Sequence, residues 1–179
     1  MLTLRRWLVW LSRIHRCWGF GIQSPTDYAF VRSVVNEHWP YYAYEQLTER
    51  DWLRRKLGRL YLRLANWRQP AVILSDDYQS WFQTGCRKAQ CTSHLSLISY
   101  HLSPPKVELA RINVEDDYEP LFALCNDASV VIVEGIWRNW QQWQKIKDDA
   151  RIGTTFDLYY CGILFFDKQR YKHHYKINF

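Results

Sequence analysis

Two short, unbroken apolar runs, helical stretches around them, and three closely spaced β-type runs at the end predict an α/β fold. The expected sheet is mostly parallel with an antiparallel C-terminal edge, and helices precede it. The two runs are Ala71-Val72-Ile73-Leu74 and Val130-Val131-Ile132-Val133, as expected for strands covered on both faces. The terminal runs, at 154–160, 163–166 and 173–179, leave no room for a helical crossover between them. They are therefore expected to pair as an antiparallel meander. Strand–helix alternation followed by such pairing indicates a parallel sheet with an antiparallel edge.

Taken in order, residues 3–17 read as a helix, with Leu4, Leu8, Leu11 and His15 on one face and Trp7, Ile14 and Trp18 widening it. Phe20-Gly21-Ile22-Gln23 interrupts it. Ser24 and Pro25 then form a helix start, with Asp27 three residues after the cap. That helix is expected to reach about His38, where Trp39-Pro40 ends it. From Glu45 to Trp67, Leu53, Leu57, Leu60, Leu64 and Trp67 fall on one stripe of a long helix rich in Arg. Beyond the 71–74 run, Leu95–Ser99 and Val107–Ile112 read as strands and Ser103-Pro104-Pro105 as a loop. Residues 118–125 and 139–149 read as helices.

The 179 residues suit one domain, with a helical N-terminal extension over 1–68 and an α/β core over 69–179. The charge is uneven. Residues 1–70 hold twelve Lys/Arg against five Asp/Glu, and residues 71–179 hold twelve against thirteen. Such a surplus suits nucleic acid, an anionic membrane surface or a solvated helical face. The five cysteines are odd in number and lack a CxxC pair. The opening MLTLRRWLVWLSRIHR carries Arg within each apolar stretch. Reduced thiols in a cytoplasmic chain, without a signal peptide or a spanning helix, are the expectation.

Several segments resemble a bacterial family of class I S-adenosylmethionine (SAM)-dependent methyltransferases with a helical N-terminal extension. They are GFGIQSP at 19–25, YYAYEQL at 41–47, RLANWRQPAVIL at 63–74, VVIVEGIW at 130–137 and FDLYYCGILFFDKQRYKHHYKINF at 156–179. The C-terminal block is the most specific, and the middle, 79–128, is short, as if one strand–helix unit were missing. The resemblance implies a Rossmann-like sheet with SAM beyond the carboxyl ends of its central strands. The positions to inspect follow Leu74 and Val133.

In that family the first strand leads into an acid and two glycines, whose missing Cβ lets the cofactor approach. On this chain the resemblance puts Ser75 at the acidic position, and Asp77 and Trp81 at the glycine positions. The ribose acid expected at the end of the next strand is absent from Leu97-Ile98-Ser99-Tyr100-His101. Of an acidic pair after the VVIV strand, only Glu134 remains, followed by Gly135. Ser75, Asp77, Trp81 and Glu134 thus mark a degenerate SAM pocket, with no catalytic residue and no metal ligand set. Asp76, Asp77 and Glu134 could meet around a hard cation, and Asp76-Asp77 could equally cap the next helix. Two functions follow: a methyltransferase-like protein with a decayed SAM site and little or no catalysis, or a non-enzymatic binding module. The module would use the basic, Trp-rich N-terminal helices for a protein partner or self-association. Residues 3–17 are expected to pack one face on the domain or on a second copy, with Arg5, Arg6, Arg13 and Arg16 outward; anionic membrane binding is the alternative.

Overall fold

The structure, a computed structural model, describes residues 2–93, 107–169 and 171–179, without the side chains of Leu2, Thr3 and Arg5. The expected strand at 95–99 and loop at 103–105 lie outside the described residues. The described strands are β1 (Val72–Leu74), β2 (Gln90–Thr92), β3 (Val107–Asn113), β4 (Cys125–Glu134), β5 (Thr154–Asp157), β6 (Cys161–Phe165) and β7 (His173–Lys176). They form one sheet in the order β2-β1-β3-β4-β6-β5-β7. β6 runs antiparallel to both neighbours, β4 and β5. The other described pairings are parallel.

The terminal runs therefore do not make a simple meander. β5 and β6 form the expected antiparallel hairpin, but the free edge of β6 is taken by β4, with Ile132 opposite Ile163. The chain leaving β6 must add β7 to the outer side of β5. It starts from the end where β5 began, so β7 lies parallel to β5, with Thr154 opposite His173.

The helices are α1 (Leu2–Ser12), α2 (Pro25–Phe30), α3 (Ala43–Gln46), α4 (Trp52–Arg68), α5 (Gln79–Gly85), α6 (Glu119–Ala123) and α7 (Trp140–Asp148). α1 is shorter than expected, because a 3₁₀ stretch over Ile14–Gly19 follows it and Trp18 there takes a left-handed φ of +60°. Ser24 caps α2 by accepting the Asp27 N–H at 3.3 Å. The helix then widens into a π-helical segment over Val31–Val35 and stops at Asn36, short of His38. The expected 45–67 helix is split. Asp51 caps α4 by accepting the Arg54 N–H at 2.8 Å, so the leucine stripe starts a fresh helix there. An N-cap carboxylate satisfies one of the orphan N–H groups of the first turn.

The sheet separates two buried clusters. On the face covered by α2 and α4 lie Phe30, Val34, Leu57, Leu60, Tyr61, Ile73, Val130, Ile132, Phe156, Ile163 and Phe165. On the other, Leu74, Ala110, Ile112, Phe122, Val131, Val133, Trp143, Ile146 and Leu164 pack with α6 and α7. Alternate residues of β4 thus feed opposite layers, as the period of a strand requires. Ile163 and Leu164 are fully buried and Phe165 nearly so, which places β6 inside the sheet. Among the described residues no helix is long and apolar enough to cross a membrane. The five cysteines are free thiols.

The six-membered ring of Trp143 in α7 covers Gly162 of β6. A Cβ added there would meet the indole at 2.2–2.8 Å. The indole occupies the volume a side chain would need, so Gly162→Ala overpacks this layer. A loss of about 1–3 kcal/mol is expected in urea denaturation, and Trp143→Leu in the same chain should recover part of it.

α1 faces the opposite way from the expected one. Arg6 stacks over Trp52 at 4.0 Å. Arg13 is ion-paired with Asp157 at 3.0 Å and donates to the Asp157 and Ile177 carbonyls. The Arg16 carbonyl accepts the Asn178 N–H. Arg6 and Arg13 are thus turned to the domain, the Arg16 side chain bonds the exposed His15 ring, and Leu4, Trp7, Leu8 and Leu11 are left exposed. The expectation for Arg5 falls outside the described side chains. Two backbone carbonyls and one carboxylate, fixed at the end of the sheet, offer Arg13 more than any apolar contact of α1 does. Arg13→Met should therefore loosen α1, read as faster proteolytic cleavage within residues 2–20 while the core stays folded.

Candidate functional site

The loop after β1 and the end of β4 meet above the carboxyl ends of the parallel strands. Ser75 is fully buried. Its hydroxyl donates to the Asp77 carbonyl and its N–H donates to Thr92 of β2. Ser75 is thus engaged within its own loop and with the neighbouring strand. Asp77 forms a two-pronged ion pair with Arg54 of α4, at 2.8 and 2.9 Å. Its carboxylate also accepts the Tyr78 N–H. α5 has no side-chain cap at its start, so Asp77 faces Arg54 instead of closing that helix. The Arg54 guanidinium holds the Asp77 carboxyl below the usual carboxylate range. That stabilisation is present above the ordinary carboxylate pKa and is lost as acid protonates Asp77 through its lowered one.

Trp81 is buried, 5% exposed. Its indole lies on Gly58 of α4, where a Cβ would stand 2.5–2.8 Å from the ring. The expected glycine position therefore carries the residue that packs α5 against α4.

Glu134 forms the centre of the site. Its Oε2 accepts Arg111 Nη2 at 2.8 Å, Arg111 Nε at 3.0 Å and the Tyr61 hydroxyl at 2.9 Å. Its Oε1 accepts the Tyr78 hydroxyl at 3.4 Å. Arg111 reaches on to Asn113, whose amide donates to Asp116. Burial first, and the Glu134 charge next, push the Tyr61 phenol well above its usual range and raise Tyr78 in the same way. Both phenols therefore remain donors. Burial works against the Arg111 charge, but Glu134 and the neighbouring acidic groups together outweigh it and the guanidinium is held more firmly protonated.

Sequence reasoning located Glu134 and Asp77 but missed Tyr61, Tyr78 and Arg111. Tyr61 lies between the leucines of the α4 stripe and Arg111 interrupts β3, an apolar strand. A lone cation inside a buried strand is the signal that could have drawn attention to it, because such a charge needs a partner. β2 was missed because Gln-Cys-Thr carries no apolar run; it ends at Thr92 and is followed by Ser93, neither of them acidic. The Leu97–His101 stretch lies outside the described residues. Among the described residues no three His, Cys, Asp or Glu side chains are placed to hold a metal, and Asp77 and Glu134 are turned to separate arginines.

Beyond Glu134 a cleft of about 430 Å³ opens, lined by Arg6, Trp52, Tyr78, Trp137, Tyr159 and Tyr160 among others. Trp137 and Tyr159 lie parallel, 6.5 Å between centroids, and Trp52 meets Tyr160 edge-on at 5.7 Å. The Gly135 N–H donates to the Tyr160 carbonyl at 2.8 Å, with Gly135 at φ +79°. That bond ties the turn after β4 to the β5–β6 hairpin and holds the aromatic wall over the acid.

Breaking this network should be costly. Arg111→Met leaves Glu134 with two tyrosine hydroxyls and a partly open edge. The expected loss is about 2–3 kcal/mol, below the usual range for a fully buried pair. Arg111→Met with Glu134→Gln should lie closer to the parent protein than the sum of the single changes, and a denaturation double-mutant cycle reads that coupling.

No protein-family model, no curated protein and no solved structure matches this chain.

Proposed function

We propose that this chain is a methyltransferase-like protein whose SAM position is filled by its own side chains, and that it works by binding instead of methyl transfer. The observation that carries the reading is Glu134. The acid that the resemblance offers at the end of β4 already accepts from Arg111, Tyr61 and Tyr78. Asp77 is likewise consumed by Arg54. SAM does not fit such a residue set. Its ammonium and ribose hydroxyls are donors in search of acceptors, and the carboxylates here are already engaged by arginines. Displacing them would leave Arg111 buried and unpaired, which costs several kcal/mol. The mostly parallel sheet with a reversed β6 near one edge supports the resemblance at the level of architecture. No methyl-transfer step is assigned to any residue.

The binding face in this reading is N-terminal. Leu4, Trp7, Leu8, Leu11, Trp18 and Phe20 are all more than half exposed, an apolar area of the kind that marks an interaction site.

Isothermal titration of the full chain with SAM and with its demethylated product tests the reading. No saturable heat is expected up to about 1 mM ligand, because each unreplaced polar contact weakens a site by about tenfold or more. Saturable binding of either ligand below about 100 μM would overturn it and favour a cofactor seated in the cleft beyond Glu134.

A further inference from the structure

A second cavity, of about 560 Å³, lies on the other side of α4, between that helix and residues 35–45. Four cations of α4 line it: Arg55, Lys56, Arg59 and Arg63. Two carboxylates, Glu37 and Glu45, also reach it, but Glu37 accepts the Tyr41 hydroxyl at 2.8 Å. Among the described residues none of these four cations is in an ion pair. Arg63 is buried and donates to the Val34 and Val35 carbonyls and to the Tyr44 hydroxyl, so its charge is solvated by dipoles and not neutralised.

Lys56 and Arg59 are held by rings instead of acids. The Lys56 ammonium stands 4.4 Å from the Phe179 ring centre and 5.2 Å from that of Trp52, and Arg59 lies 4.7 Å over Tyr44. Cation–π attraction is much smaller than the cost of burying a charge. The rings alone therefore do not account for two cations here. Desolvation, reinforced by the Arg63 charge, brings the Lys56 amine down from 10.5 to about 8, consistent with a missing anion. Two further donors point the same way: Arg59 Nε and Asn36 Nδ2 are buried without a hydrogen-bond partner. Unsatisfied buried donors are rare in folded proteins and call for an acceptor. The cavity thus sets four cations against two carboxylates, one of them already engaged by Tyr41, and adds spare donors and aromatic walls.

We propose that this cavity binds a small soluble molecule in which a phosphate group is attached to a planar ring, the phosphate on Lys56 and Arg59 and the ring against the aromatic wall. A phosphate brings two negative charges and several acceptor oxygens, and guanidinium and ammonium donors match it. The planar ring is chosen because Trp39, Tyr41, Tyr44, Trp52 and Phe179 border the same space and stack on any flat π-face. The proposal is independent of the SAM position, since only Trp52 is shared with the cleft beyond Glu134.

The test is isothermal titration of the full chain with adenosine monophosphate, inorganic phosphate, and vesicles of phosphatidylcholine with phosphatidylglycerol. Saturable, salt-sensitive binding of the nucleotide is expected, about tenfold tighter than phosphate alone. Arg59→Gln should weaken it at least about tenfold, while the exposed-charge control Lys145→Met leaves it unchanged. Asn36→Asp, which adds a further carboxylate to the cavity wall, should raise the thermal midpoint of the free chain and weaken nucleotide binding together. A merely structural role for Asn36 would not couple those two readouts, and this variant decides the matter should Arg59→Gln not fold. Absence of saturable nucleotide binding, equal affinity in Arg59→Gln and Asn36→Asp, or binding to vesicles alone overturns the proposal.

Discussion

Glu134 ends β4, the strand at the centre of the sheet, and its carboxylate has to be neutralised at a point where the interior meets the loops. Arg111 from β3, Tyr61 from α4 and Tyr78 from the turn after β1 all converge on it. The register that puts Asn113 opposite Glu134 places Arg111 two residues back on the same face of the adjacent strand, within reach of the acid. Arg54 and Asp77 continue the same network outward. Three elements are thereby fixed relative to one another by one negative charge. The crevice between the strand ends, which open α/β sheets commonly use for ligands, is occupied by polar groups that satisfy each other.

The insertion of β6 between β4 and β5 has consequences for the same region. Its hairpin delivers Tyr159 and Tyr160 to the rim above Glu134, where they meet Trp137 and Trp52. Tyr159 takes a left-handed φ of +71° in the turn, which aims the two adjacent rings in different directions. The aromatic cleft beyond the acid is therefore a product of sheet order. The site combines a closed polar floor with an apolar rim.

The charge surplus of the first seventy residues is handled in three ways. Arg13 and Arg54 meet carboxylates. Arg6 stacks over the face of Trp52, while Arg63 donates to backbone carbonyls. Lys56 and Arg59 meet only aromatic rings and no carboxylate, and they lie together along one face of α4. An arginine-rich helix is often a solvated face. Here about half of that helix is buried, so part of its charge is withdrawn from water and must be compensated inside the molecule or by something it binds.

The sequence by itself determined the α/β class of fold and several of its local elements. The apolar runs at 72–74 and 130–133, the Ser24-Pro25 helix start and the leucine stripe of α4 were legible, because a strand covered on both faces, a capped helix start and a core-facing helix each leave a local pattern. Those features depend on periodicity and end chemistry, which neighbours in the chain fix. Tertiary structure decided the rest. The free edge of β6 went to β4, which forced β7 to join β5 in parallel. Asp51 offered α4 a cap that the stripe did not reveal, and Arg13, just after α1, turned inward because Asp157 and the Ile177 carbonyl stand at the sheet's end. Whether Glu134 could serve a ligand depended on Arg111 and Tyr61, which lie 23 and 73 residues away in the chain. The partners of a charge are set by packing between distant segments, and no local pattern of residue types encodes them.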